Sequence, residues 1–186
     1  MLYTNNCPRP EFPRPQFDRG DSLWLNLNGP WEYQTDRGLT GDQRNFQNGA
    51  PFSETITVPF CRESVLSGIG DVDFCDSVWY RKTLTLPEAW AGKRVLFHIG
   101  ACDYYTKVWV NGQYMGDHIG GYVAFSYDIT KALKEGENTI TVGVTYHLRT
   151  GNQPGGKQSM LYHSYGCSYT RTTGIWQTTW LECVPM

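Results

Sequence analysis

The residues best suited to chemistry are five carboxylates that fall close together in the sequence. Asp71, Asp73 and Asp76 lie in the segment GIGDVDFCD, and Glu54 and Glu63 precede them. Two carboxyl groups held about 5–9.5 Å apart, one as acid and one as nucleophile or base, can cleave a glycosidic bond. Nothing in the spacing singles out such a pair. A hydrogen-bonded or solvated turn is the simpler reading, with a substrate-side loop as the alternative. Carboxylates at i and i+2 also suit calcium, yet DVDFCD lacks the regular oxygen-ligand pattern of a calcium loop. The four histidines (98, 118, 147 and 163) do not fall at zinc-finger spacing, and no CxxC pair occurs. His118 has no identifiable orienting partner, so it reads as a strand-end residue bonding loop backbone. Gly120-Gly121 lacks the context of a phosphate loop. No catalytic residue, metal site or cofactor is expected in this chain.

Binding chemistry is better represented. From Tyr146 to Tyr169 the sequence carries four Gly, four Tyr and two His with no apolar period. Structureless loops beyond about 12–15 residues are usually functional or disordered. Aromatic side chains gain from packing or stacking, which argues against disorder here. Lys157-Gln158 and Ser168-Tyr169-Thr170-Arg171 bracket the second half of this loop. Hydroxyl-rich sugars are held by planar polar groups beside an aromatic face, and this stretch supplies both. Ser168, Tyr169 and Arg171, with Asp73 and Asp76 beside them, are therefore the candidate substrate-binding residues. An ordered surface loop packed on a neighbouring domain is the competing reading.

These groups must be positioned by strands. Val108 and Val110 alternate with Lys107, Trp109 and Asn111, the period of a strand with one buried face. Asn111-Gly112 tolerates the positive φ angles of a two-residue hairpin, and Gln113-Tyr114-Met115 forms the return. Further strands are expected around Leu23–Leu27, Ile56–Val58, Val78–Leu86, Val95–Ile99, Ile140–Val144 and Ile175–Leu181. Pro87–Ala91 and Ile129–Lys134 each suit a helical turn or two. Residues 34–53 read as a long loop. Four prolines between residues 7 and 18 make residues 1–20 an extended arm. Many short strands separated by turn signals indicate an all-β sandwich, one domain spanning 1–186.

Composition narrows the class. The 186 residues carry a net charge of −2, so nucleic acid and anionic membranes are not expected partners. No apolar run approaches the roughly 20 residues needed to span a bilayer. The first ten residues lack the charged and apolar regions of a secretory signal, so a cytoplasmic protein is expected, the alternative being that a signal has been removed. The six cysteines are accordingly expected as free thiols, with Cys75 and Cys167 in exposed loops as the exceptions if any pair.

Six ordered blocks carry a family resemblance. They are LNGPWEY from Leu27, VPF with Glu63, VWYRK from Val78, the stretch Tyr104–Thr130, GENTITV from Gly136 and TTGIWQ from Thr172. Together they resemble the N-terminal sugar-binding domain of family 2 glycoside hydrolases, the β-galactosidase, β-glucuronidase and β-mannosidase group. The resemblance implies a jelly-roll β-sandwich of the galactose-binding type. It also implies that catalytic glutamates sit on a separate (β/α) barrel absent here, reached through an immunoglobulin-like domain. Carbohydrate and those following domains are then the implied partners, with a possible homo-oligomer of the parent enzyme. In related enzymes an acidic residue just before the final strand touches the substrate. By count from Gly174-Ile175 that position is Ser168, and a hydroxyl cannot accept hydrogen bonds as a carboxylate does. Two alternatives from other classes are a free-standing carbohydrate-binding module and a structural inter-domain packing module.

Overall fold

A computed structural model describes residues 7–9 and 23–185. Most of the expected Pro-rich arm lies outside the described residues. The first strands are β1 (Trp24–Asn26), β2 (Gly29–Thr35), β3 (Glu54–Val58) and β4 (Ser77–Thr85). After them come β5 (Arg94–Ile99), β6 (Cys102–Asp103), β7 (Tyr105–Val110) and β8 (Gln113–Ile119). The last are β9 (Phe125–Asp128), β10 (Glu137–Thr145), β11 (Gly174–Ile175) and β12 (Thr179–Val184). A six-stranded sheet runs β3-β2-β4-β10-β7-β8, and a four-stranded sheet runs β1-β12-β5-β9. The pairings between these strands are antiparallel. The result is a β-sandwich, as the residue pattern indicates, of the jelly-roll type that the family resemblance implies.

Alternation explains why the two sheets stack. Trp31 and Tyr33 of β2, Val78 and Tyr80 of β4, Val108 and Val110 of β7, and Ile140, Val142 and Val144 of β10 are buried. Val95, Phe97 and Ile99 of β5 and Leu181 of β12 meet them from the four-stranded sheet in one core cluster. Side chains of period two reach one face of a strand, so each sheet buries one face against the other. The β7–β8 hairpin turns at Asn111 (φ 50°) and Gly112 (φ 78°), the backbone that Asn-Gly accepts without strain.

Two expectations need correction. The final strand is not continuous from Ile175 to Leu181. Ile175 pairs with Cys102 in a separate two-stranded ribbon, and the chain re-enters the four-stranded sheet only at Thr179. The step between them is held by the amides of Trp176 and Gly100, which donate to Ala101 and Thr178 carbonyls at 3.2 and 2.8 Å. Cys75 is not exposed: its thiol lies buried under the 71–76 loop, 3.1 Å from the Ser77 carbonyl. Cys167, by contrast, is exposed. The 34–53 segment is a loop as expected beyond the end of β2. It drives Phe46 into a second cluster with Trp79 and Trp109 on the outer face of the six-stranded sheet.

Candidate functional site

One end of the sandwich is built from two loops, residues 60–76 before β4 and residues 146–173 after β10. The adjacent strand ends bring them together, since Thr145 pairs with Ser77 and the Tyr146 amide donates to the Asp76 carbonyl at 2.9 Å. Few apolar side chains point inward here, so polar groups must hold the backbone. Arg171, 1% exposed, donates to the carbonyls of Ser159, Leu161 and Val72 and thus ties both loops together. Its guanidinium also lies 4.0 Å over the Phe74 ring, which Tyr162 meets edge-on at 5.4 Å. A planar cation with five donors suits several converging carbonyls beside a ring face.

The acidic loop is held in the same way. Arg62 is fully buried, pairs with Asp71 and donates to the Asp73 carbonyl. Arg37 reaches Asp73 at 3.0 Å and the Phe74 carbonyl at 2.7 Å. Burial tends to raise the Asp71 carboxyl, but the Asp73 amide and the two arginines outweigh it and hold the group below its ordinary range. The bonds of Asp71 and Asp73 thus close a turn.

Beneath the long loop, Gln158 joins three segments. Its amide nitrogen donates to Asp103 at 2.7 Å, and its oxygen accepts from Tyr146 Oη and the Thr172 amide, each at 2.9 Å. Burial pushes the Asp103 carboxyl up to about 6, against the Gln158 bond that favours its ion. Glu63 accepts from both the amide and the hydroxyl of Thr173 and is likewise pushed up by burial, with those bonds opposing. The loop itself is braced by backbone bonds between Tyr169 and both Lys157 and Ser159.

The candidate residues separate into two groups. Tyr169 is 61% exposed, and Ser168 closes a tight turn with Tyr165 at the surface. Asp73 and Asp76 lie beside this loop, Asp73 half exposed in its pair with Arg37 and Asp76 exposed. Arg171 instead points inward and supports the loop from below. Tyr162, Tyr165, Leu161 and Met160 project outward, and Val65, Leu66 and Val72 extend the apolar rim from the first loop. Sequence reasoning missed Phe74, Arg62, Arg37 and Asp103. Arg62 stands next to Glu63 in a quoted block, but neither carries a periodic signal.

Comparison with known proteins fits this arrangement. A family model described as "Glycosyl hydrolases family 2, sugar binding domain" matches residues 70–162, half of the chain. The chain belongs to this family. It is 30% identical over 135 residues to a β-glucuronidase of Paenibacillus borealis, covering 71% of this chain and 22% of that protein. A β-galactosidase of Thermoanaerobacter pseudethanolicus is 29% identical over 161 residues, covering 85% of this chain and 20% of that protein. The solved β-glucuronidase of Ruminococcus gnavus superposes with a TM-score of 0.72 at 22% identity, over 88% of this chain and 29% of that one. The last likeness shows the fold. The family 2 sugar-binding domain described here therefore spans about a quarter of the length of the curated relatives it matches.

Proposed function

We propose that this domain shapes the substrate entrance of a retaining β-glycosidase whose acid and nucleophile stand on a barrel elsewhere in a longer protein. One observation carries the reading. The loop end combines a rigid buried scaffold (Arg62, Arg171 and Gln158) with an exposed aromatic surface led by Tyr162, Tyr165 and Tyr169. A positioning surface needs such support, because side chains that meet a substrate must be held within fractions of an ångström. The apolar rim of Val65, Leu66, Met160 and Leu161 suits packing against an immunoglobulin-like or barrel domain. Ser168, Tyr169, Asp73 and Asp76 then face the sugar, while Arg171 fixes their loop.

The substrate class is a terminal β-glycoside, supported by the activities named for the relatives. A neutral Ser168 sets this domain apart from an acidic contact at that point, which favours substrates recognised without that carboxylate. The buried thiols of Cys75, Cys102 and Cys183 suit a reducing, cytoplasmic setting. The test is activity with nitrophenyl β-glycosides. The 186-residue chain should give no turnover, and a longer protein that includes the barrel should. Turnover by the purified short chain, abolished by Asp73→Asn or Asp76→Asn, would overturn the reading.

A further inference from the structure

The outer face of the six-stranded sheet carries a second set of groups suited to sugars, on different elements from the loop end. On β7 and β8 the outward residues pair across the strands, Tyr105 with Ile119, Lys107 with Asp117 and Trp109 with Tyr114. Trp109 is almost fully covered because Trp79 stacks on it at 5.3 Å and Phe46 closes the cluster. Tyr114, tilted against Trp109 at 5.7 Å, is 53% exposed. Aromatic rings thus step from the buried middle of the sheet to its open edge. Tyr105 Oη donates to Asp117 at 2.7 Å, and Lys107 Nζ lies 3.4 Å from Asp42. Rings alternating with charged and hydroxyl groups along a sheet face offer the stacking and hydrogen bonding that a glycan chain needs.

A groove of about 220 Å³ opens beside these residues, between the Asp36–Asp42 turn and β7. It is preformed. Asp36 accepts from the amides of Thr40 at 3.0 Å and Gly41 at 2.7 Å, which fixes the turn. Gly41 and Gly143 leave room for the Trp79 ring, since a Cβ on either would come within about 3 Å of it. The volume is smaller than the roughly 300–1,000 Å³ of drug-sized pockets and suits one ring of a longer chain. Lys107 is already paired with Asp42, and Asp117 adds another carboxylate to this face. An acidic sugar would meet Asp36 and Asp42 in the groove and Asp117 beside it, and would gain no unpaired lysine.

We infer that the outer face of β7 and β8, with the adjoining groove, is a second carbohydrate-binding surface that takes a neutral oligosaccharide. It uses the outer sheet face rather than the exposed tyrosines of the loop end, and its groove reaches that end only at Ser77 and Thr145. One sugar ring sits in the groove beside Lys107, and the chain continues over Tyr105 and Tyr114. The site holds the domain on a glycan while the loop end serves the reacting sugar.

The 186-residue chain is the test object, titrated with cellotetraose, xylotetraose and D-glucuronate by calorimetry and tryptophan emission. At least one neutral tetraose should bind in the millimolar range and shift the emission, and glucuronate should not. Tyr114→Ala should weaken that binding at least tenfold with the melting temperature unchanged, because the side chain is half exposed. Tyr169→Ala should leave it unchanged, which separates this surface from the loop end. The inference fails if neither tetraose binds, if glucuronate binds as well as they do, if Tyr114→Ala has no effect, or if the loss follows Tyr169→Ala.

Discussion

The sandwich core and the loop end are held by opposite means. In the core, Phe97, Val142, Ile99 and their neighbours are buried with apolar partners, and the strand ladders satisfy the backbone. At the loop end the backbone has few ladder partners, and Arg171, Arg62 and Gln158 serve its carbonyls and amides instead. Burial stabilises the first region in proportion to apolar area, whereas the second depends on a few charged donors whose loss leaves several buried acceptors unmade. Such a region keeps its shape while leaving its aromatic side chains free to face outward. The contrast is the physical support for the proposal that this end meets substrate.

Truncation in the core should produce the largest effect. Phe97→Ala should lower unfolding stability by about 3–5 kcal/mol through lost burial and a residual cavity. Denaturant unfolding measures this, and amide exchange should quicken throughout both sheets. Arg171→Ala should cost less, about 1–3 kcal/mol, and act locally. Hydrogen exchange should speed up around residues 159–170 and 72–76 while β5 and β10 remain protected. Equal loss of protection in both regions would erase the distinction drawn between them.

A pH series sharpens the comparison further. The folded-state carboxyl of Asp103 sits at about 6, above its ordinary value of 3.8, because burial disfavours the charge. The folded state therefore holds this proton more tightly than the unfolded chain. The stabilisation is complete below the unfolded value and is lost as pH rises through about 6, on the order of 1 kcal/mol between about pH 5 and 8. Glu63 is shifted the same way and adds the same sign. His118, pulled down by burial, acts in the opposite sense. Comparing Asp103→Asn with the parent isolates the first contribution, since Asn retains an oxygen for the Gln158 donor. The difference in melting temperature between the two proteins should grow as pH rises through 6.

The two regions also differ in how far the sequence discloses them. Val95, Phe97 and Ile99 announce a strand because alternation is the direct imprint of a two-sided sheet, and Asn111-Gly112 announces its hairpin through backbone chemistry. The long loop was visible as a place, through its tyrosines and its lack of period. Its scaffold was not. Arg171 read as a surface contact because an arginine beside tyrosines has the same local signature whether it faces sugar or carbonyls. Only the fold brings Ser159, Leu161 and Val72 around it. Cys75 was misplaced for the same reason, since a loop packed under arginines can bury a thiol. Ile175 and Leu181 look like one strand in sequence, and only the three-dimensional path shows them serving different sheets.

The smallest effect on stability bears most directly on the central claim, that this end of the domain presents aromatic side chains to substrate. Tyr169 is 61% exposed, so Tyr169→Ala should leave the melting temperature within the range of ordinary surface changes. In a longer enzyme carrying the catalytic barrel, kcat/KM for a nitrophenyl β-glycoside should fall by about tenfold, equivalent to about 1.4 kcal/mol of lost transition-state binding. Unchanged kinetics together with a sharp drop in melting temperature would contradict the account and make the loop a structural element alone.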